Sequence, residues 1–324
     1  DSTTDILIED ADGGVDTIVS WVSWTLGAPF ENLTLAESLS SIDPLLDING
    51  TGNSKANRIT GNFGFNVLDG GPGADTMDGG ESRDVYIVDD VGDVVHDSGL
   101  FHSDEVRSSV SFDLRLAPTI EDIRLTGAAD IDATGNEQFN LIVGNGGRNV
   151  LTAIGGDRLE GDAGDDTLVG SFGNDVLVGG PGADLMSGGA GGDYFEVDDV
   201  GDVVVEIDGD ADAFDHVVSF VNYVMPAHVE ILSLGEDVDG FGTARGGEVI
   251  NGGYGANRLH AGGGQGDRLD GRDGDDMLYD DGGQTYMQGG TGNDTFHITG
   301  LDDTVEEFFN QGIDTVVVDH DFTL

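Results

Sequence analysis

Apolar and polar residues alternate in short segments along the chain, and between residues 161 and 196 the alternation has a fixed period of nine. Each unit there has glycine at positions one and four, aspartate at position six and an apolar residue at position eight. The four units are GDAGDDTLV, GSFGNDVLV, GGPGADLMS and GGAGGDYFE. An apolar residue centred in a three-residue segment is typical of a short strand with one buried side. The pattern therefore predicts stacked short strands separated by glycine turns.

The apolar pattern also repeats on a larger scale, through one long strand-like segment that occurs four times. Its copies are DTIVSWVSWTL (16–26), DEVRSSVSFDL (104–114), DHVVSFVNYVM (215–225) and DTVVVDHDFTL (314–324). A second alternating segment follows the first three copies, as FENLTL (30–35), IEDIRL (120–125) and VEILSL (229–234). These repeats predict three modules, 1–103, 104–214 and 215–313, and the first strand of a further module at 314–324. The only helix candidate, 31–46, is interrupted by Pro44.

The spacing of the aspartates predicts metal sites in the turns. If each nonapeptide is half a coil, equivalent positions of every second nonapeptide stack in neighbouring coils at roughly 4.8 Å. Two aspartates on one edge can then bracket an ion, while glycines allow positive φ and leave carbonyl oxygens to complete a shell of about 6 to 8 ligands. Calcium suits such a shell, whereas zinc would favour cysteine and histidine.

The candidate ligands are the aspartates at position six of a nonapeptide and those that continue the same nine-residue period. They are Asp75, Asp84, Asp93, Asp157, Asp166, Asp175, Asp184, Asp193, Asp202, Asp267, Asp276 and Asp294, with Gly161, Gly164, Gly170, Gly173, Gly180, Gly182, Gly189 and Gly191 in the central turns. Six pairs have the spacing of two nonapeptides, which makes six calcium ions the central estimate: 75 with 93, 157 with 175, 166 with 184, 175 with 193, 184 with 202, and 276 with 294. Asp84 and Asp267 instead have His102 and Thr285 at that distance, and Thr285 predicts fewer ions in the third block.

Other nonapeptides carry asparagine at position six. These residues are Asn57, Asn66, Asn140, Asn149 and Asn257. An amide has no negative charge to offer a cation, so these units are predicted to be uncharged coils.

The charged nonapeptides resemble the GGxGxDxUx repeat of RTX, or hemolysin-type, calcium-binding proteins. The resemblance implies an all-β fold, a parallel β-roll or β-solenoid with calcium ions in the turns. It also implies export by type I machinery and folding outside the cell, where calcium is abundant. Such proteins include toxins, proteases, lipases, adhesins and surface-layer proteins. The longer repeated strands resemble those of large bacterial repeat proteins more than those of toxins or proteases.

Charge excludes several functions. The chain has 64 acidic and 12 basic residues, a net charge of -52, 55 glycines and no cysteine. Nucleic-acid binding and attachment to anionic membranes need a basic surface, so neither is expected. No apolar run approaches the length of roughly 20 residues that a membrane-spanning helix needs, so membrane insertion is not expected either. Without bound ions, the negative charges of a compact chain would repel one another.

No active site is found in the sequence. Polysaccharide lyases and epimerases on parallel solenoids need basic residues beside a positioned acid or base, whereas the 12 Lys and Arg residues here are dispersed. GxSxG and GxxxxGK[ST] motifs are absent, and the seven histidines share no spacing and are interpreted as surface residues. We therefore predict a calcium-binding extracellular segment with a structural or adhesive role. The alternative is the repeat tail of a type I secreted enzyme or toxin.

The expected partner is another copy, stacked end to end, or a cell-surface molecule. The first and last long strands have the same phase, and no polar capping coil follows the last one. From this we expect continuation into further modules or association of copies into a filament or layer.

Overall fold

The computed structural model describes residues 13–37, 47–99, 103–207, 213–300, 302–308 and 311–319. The chain divides into two compact units, residues 1–160 and 161–324. Each unit is built from short parallel strands that alternate between opposite sheets, with glycine-rich turns between them. The predicted fold, an all-β parallel β-solenoid, is therefore confirmed in each unit.

The described part of the first unit contains sixteen strands and one 3₁₀ turn at Leu114–Leu116. The strands are β1 Thr17–Ser20, β2 Trp24–Thr25, β3 Asn32–Leu35, β4 Gly50–Thr51, β5 Arg58–Thr60, β6 Val67–Asp69, β7 Thr76–Asp78, β8 Val85–Val88, β9 Val94–His96, β10 Glu105–Ser108, β11 Phe112–Asp113, β12 Asp122–Leu125, β13 Ala133–Thr134, β14 Leu141–Val143, β15 Val150–Thr152 and β16 Arg158–Glu160. Even-numbered strands lie in sequence order in one sheet, whereas odd-numbered strands form two sheets, β1 to β9 and β11 to β15.

The second unit repeats this plan, with seventeen strands among its described residues. They are β17 Thr167–Val169, β18 Val176–Val178, β19 Leu185–Ser187, β20 Tyr194–Val197, β21 Val203–Val205, β22 His216–Ser219, β23 Tyr223–Val224, β24 Ile231–Leu234, β25 Gly240–Phe241, β26 Val249–Asn251, β27 Arg258–His260, β28 Gln265–Asp273, β29 Met277–Tyr279, β30 Gln284–Thr291, β31 Thr295–Ile298, β32 Thr304–Glu306 and β33 Thr315–Val318. Even strands again form one continuous series, and odd strands split into β17 to β21 and β23 to β33.

Position eight of each nonapeptide forms the core. Leu168, Leu177, Met186 and Phe195 are all fully buried. Leu168 pairs with Met186, and Leu177 pairs with Phe195, so position eight of one nonapeptide stacks on position eight of the second nonapeptide after it. Burying a side chain of this size contributes about 1.5 to 3 kcal/mol relative to leaving it exposed. The predicted stack of short strands, each with one buried apolar side chain, is confirmed.

Coil length changes where a long repeated strand begins. Val67 pairs with Val85, which is the spacing of two nonapeptides. Val85 then pairs with Glu105, although the same spacing would place its partner at position 103. In the second unit Tyr194 pairs with His216, whereas the same spacing would give position 212. The additional residues lie in the half coil before β10 and before β22, where the odd-numbered sheet is interrupted.

The helix candidate at 31–46 is not a helix where the structure describes it. Strand β3 covers Asn32–Leu35 and pairs with β1 and β5. Alternating burial of Leu33 and Leu35 satisfies the strand pattern of FENLTL. Residues 38–46, including Pro44, lie outside the described residues.

Candidate metal sites

The aspartate at position six is buried, and one of its oxygens accepts a backbone hydrogen bond from the preceding coil. The Asp166 N–H donates to Asp184 Oδ1 at 2.7 Å, and the Asp184 N–H donates to Asp202 Oδ1 at 3.0 Å. The Asp175 N–H donates to Asp193 Oδ1 at 2.8 Å. Stacking of the nonapeptides thus brings together the predicted partners of these three pairs.

The outer blocks have the same arrangement. The Asp75 N–H donates to Asp93 Oδ1 at 2.9 Å, and the Asp276 N–H donates to Asp294 Oδ1 at 2.8 Å. Asp157 Oδ1 accepts from the Asn140 N–H at 2.7 Å within the first unit. Asp157 and its predicted partner Asp175 belong to different units, so that pair stays a prediction.

The second oxygen of several of these carboxylates is buried and, within the described part of the chain, has no hydrogen-bond partner. It is Oδ2 of Asp75, Asp84, Asp184, Asp193, Asp267, Asp276 and Asp294. A buried carboxylate oxygen without a donor or a cation is costly. A cation or a proton at these atoms would offset that cost. In Asp93, Asp175 and Asp202, Oδ2 instead accepts a backbone N–H of its own turn.

The repeated glycines make room for these carboxylates. A Cβ on Gly179 would collide with Asp184 Oδ2, and one on Gly188 would collide with Asp193 Oδ2. A Cβ on Gly161 or Gly170 would strike a glycine carbonyl of the next coil. The other predicted glycines, 164, 173, 180, 182, 189 and 191, all have positive φ. Position one therefore needs glycine for space, and positions two and four use its left-handed backbone.

In the asparagine coils, the side-chain amide at position six is hydrogen-bonded to backbone groups. Asn149 Nδ2 donates to the Ile131 carbonyl at 2.6 Å, and Asn66 Nδ2 donates to the Ile48 carbonyl at 2.6 Å. Asn66 Oδ1 accepts the Asn62 N–H at 2.8 Å. The amide NH₂ thus donates to a carbonyl of the preceding coil, whereas Oδ1 of an aspartate accepts a backbone N–H from that coil. This contact pattern supports the interpretation of these coils as uncharged.

Burial favours the protonated form of the position-six aspartates. Burial is the main reason that the pKa of Asp75 is raised to about 6 and that of Asp184 and Asp276 to about 7, and neighbouring carboxylates contribute to the same rise. Backbone hydrogen bonds to Oδ1 act in the opposite direction but are the smaller effect. A bound cation would supply the positive charge that lets both carboxylates of a pair ionise.

Sequence reasoning missed four partners, three of them because a coil is not always two nonapeptides long, and Asp303 because Thr285 stands at position six of its partner unit. Asp104, Asp215 and Asp314 accept the backbone N–H of Asp84, Asp193 and Asp294, at spacings of 20, 22 and 20 residues. His102, which the regular period places opposite Asp84, lies outside the described residues. Asp303 accepts the Thr285 N–H at 2.9 Å. The signal was available, since Asp104, Asp215 and Asp314 each begin a copy of the long repeated strand.

The basic residues are less dispersed than the sequence suggests. Arg83, Arg107 and Arg124 line one groove of about 250 Å³ on the first unit. Arg107 Nη2 donates to Glu105 Oε2 at 2.8 Å, and Arg124 Nε lies 3.7 Å from Glu105 Oε1. Glu105 therefore pairs with two of the three arginines at this groove.

Parallel coils with glycine turns and stacked, buried aspartates define a calcium-binding β-solenoid. The model of the RTX calcium-binding nonapeptide repeat matches the chain four times, at residues 51–86, 160–195, 243–278 and 262–296. The chain thus carries RTX repeats, which are structural calcium-binding units, and the predicted resemblance is confirmed. No curated protein matches the sequence. Within the described residues, no helix has the length and apolar character to span a membrane.

Proposed function

We propose that this chain is a calcium-stabilised extracellular segment with a structural or adhesive role, within a longer surface or filament-forming protein. The observation that carries the proposal is the series of buried position-six carboxylates with unpartnered second oxygens. They lie inside the turns rather than in a cleft open to substrate. Calcium held there would join one coil to the next, so its role is to stabilise the fold.

Several calcium ions, with six as the central estimate, would occupy the turns. The proposed ligands are the aspartates and glycines identified from the repeat, and Asp104, Asp215, Asp303 and Asp314 are added because they take the partner position. The chain would hold three modules, with the boundaries predicted from the repeated strands.

Charge and calcium supply support an extracellular setting. RTX repeats are typical of secreted proteins, and calcium sites of extracellular modules have dissociation constants of roughly 0.1 to 1 mM. A chain of net charge -52 repels itself where calcium is scarce. Such a chain would stay extended during export and become ordered outside the cell.

Association of copies is favoured by strand β33 of the second unit. It pairs with β31, and Val316 and Val317 in this strand are each 43% exposed. Exposed apolar side chains on a strand are suited to pack against another copy.

Sedimentation and electron microscopy in millimolar calcium test the assembly. We expect elongated multimers that dissociate when calcium is chelated. Val317→Lys places a charge on strand β33 and should reduce association. Leu185→Lys should leave association unchanged, because this exposed leucine lies on β19, which pairs with β17 on one side and β21 on the other. Monomers at every protein concentration would contradict the filament role and favour the repeat tail of a secreted enzyme or toxin.

A further inference from the structure

Three carboxylates meet at each of three places, always where a charged block ends and a long repeated strand begins. In each place one carboxylate oxygen from each residue lies within 4.8 Å of the others. The three junction clusters are Asp84, Asp97 and Asp104; Asp193, Glu206 and Asp215; and Asp294, Glu307 and Asp314. The second residue always follows the first by 13 positions. The sequence therefore encodes the same cluster three times.

Chain topology explains why the three side chains converge. The first and third acids lie in successive coils, and the backbone N–H of the first donates to the third, at 2.6 Å for Asp84 and Asp104 and 2.8 Å for Asp193 and Asp215. The second acid comes from the lengthened half coil between them. Glu206 Oε1 accepts the Gly188 N–H at 3.0 Å, which holds it over the same turn as Asp193.

A glycine provides the space in which the oxygens meet. A Cβ on Gly188 would collide with both Asp193 Oδ2 and Glu206 Oε1, and a Cβ on Gly289 would collide with Asp294 Oδ2 and approach Glu307 Oε1. The two carboxylates of each pair thus point to one small volume beside a glycine Cα.

The first acid of each cluster points an unpartnered oxygen into this volume. Asp84, Asp193 and Asp294 are 0%, 1% and 1% exposed, and Oδ2 of each has no hydrogen-bond partner in the described structure. Glu307 Oε2 is also buried and unpartnered. Three close acids without a compensating donor at these atoms require a cation or protons.

The first cluster reaches the same arrangement with different residues. Its second acid is Asp97, one methylene shorter than glutamate, and the Tyr86 hydroxyl fills the difference. This hydroxyl accepts the Gly79 N–H at 2.9 Å and donates to Asp97 Oδ2 at 2.6 Å. The other two clusters combine glutamate with Phe195 and Phe296 at the equivalent core position, and all three aromatic residues are fully buried. Aspartate with tyrosine in the first cluster thus replaces glutamate with phenylalanine in the other two, and the acidic group is kept at each junction.

We propose that each junction cluster is a cation site of its own class, in which three carboxylates hold one calcium ion. The turn sites between regular coils offer two stacked aspartates, so the junction sites carry one more negative ligand. Calcium affinity rises with the number of charged ligands and with the rigidity of the site. The junction ions are therefore the tightest in the chain and attach the long strand of one module to the last coil of the preceding one.

Stepwise calcium depletion of the loaded full-length chain tests the proposal. Bound calcium per chain is measured at each free calcium concentration, together with circular dichroism. We expect a plateau at three ions after the turn sites have emptied. Glu206→Gln keeps an acceptor for the Gly188 N–H but removes one charge, and it should lower the plateau to two ions. Glu196→Gln, on the same coil but outside the cluster, should keep three.

A further variant separates this proposal from calcium binding in the turns. Asp184→Asn should lower the total number of ions at saturation but leave the plateau at three. Glu307→Gln repeats the test at the third cluster, and a circular dichroism spectrum matching that of the unmodified protein at saturating calcium shows that each variant is folded. The proposal is overturned if the unmodified protein has no plateau at three ions, or if Glu206→Gln and Glu307→Gln both retain it.

Discussion

Removal of calcium at neutral pH is expected to unfold the charged coils and to abolish most of the strand signal in circular dichroism. The reason is that position-six carboxylates are buried with oxygens that only a cation or a proton can neutralise. One ion present at 100 times its dissociation constant stabilises the native state by about 2.7 kcal/mol. Several such ions together reach the stability of a typical whole domain, which is about 5 to 15 kcal/mol. A strand spectrum unchanged after exhaustive chelation would show that calcium does not support the fold.

Two variants of one residue provide the control for this prediction. Asp184→Ala removes the acceptor of the Asp166 N–H, which costs about 1 to 3 kcal/mol, and also removes a ligand shared by neighbouring coils. Asp184→Asn keeps an amide oxygen that can accept this hydrogen bond, and it removes only the negative charge. The calcium concentration at half-folding should therefore rise more for alanine than for asparagine. Equal midpoints for both variants and the unmodified protein would disprove the pairing of coils.

Acidification of the calcium-free protein is expected to restore order that is lost at neutral pH. Burial raises the pKa of Asp75 to about 6 and that of Asp184 and Asp276 to about 7, compared with about 3.9 in an unfolded chain. Between these values the native state binds more protons than the unfolded state. The stabilisation is therefore fully present below about pH 4 and is lost as the pH rises through 6 to 7.

The measurement is a pH titration of the ion-free protein by circular dichroism, from pH 8 down to pH 5. Strand signal should increase on acidification, and the same titration in saturating calcium should change much less. When calcium is present, acidification has the opposite effect. Protons compete with the cation, so the calcium concentration at half-folding rises at low pH. Constant or decreasing order of the ion-free chain on acidification would contradict the burial of these carboxylates.

The regular part of the fold could be predicted from the sequence because its period is fixed. A nine-residue unit with one apolar position determines which side chain enters the core, and Leu168 and Phe195 lie where the pattern places them. The same period determines the stacking of Asp184 on Asp166. Asparagine at position six predicts coils that need no ion, because an amide has no negative charge to offer a cation and its NH₂ donates hydrogen bonds.

Features at irregular spacing could not be predicted in this way. Asp97 and Glu206 come from lengthened half coils, where counting by two nonapeptides fails. The stacked rings of Phe241, His260, Tyr279 and His297, with centroids 4.2 to 4.8 Å apart, need the register of four strands. These two histidines are half-buried in that stack, a contact that their interpretation as surface residues did not include. Register depends on coil lengths that only the folded chain fixes.

Anomalous scattering from calcium in crystals of the full chain tests the central claim most directly, because it locates the ions. We predict calcium within about 2.3 to 2.6 Å of Oδ2 of Asp75, Asp184 and Asp276. We also predict no calcium beside the side chains of Asn66 and Asn149, whose amides already donate to the preceding coil. A folded chain with no ion at these aspartates, or with ions equally at the asparagine coils, would contradict the assignment of calcium to the charged turns.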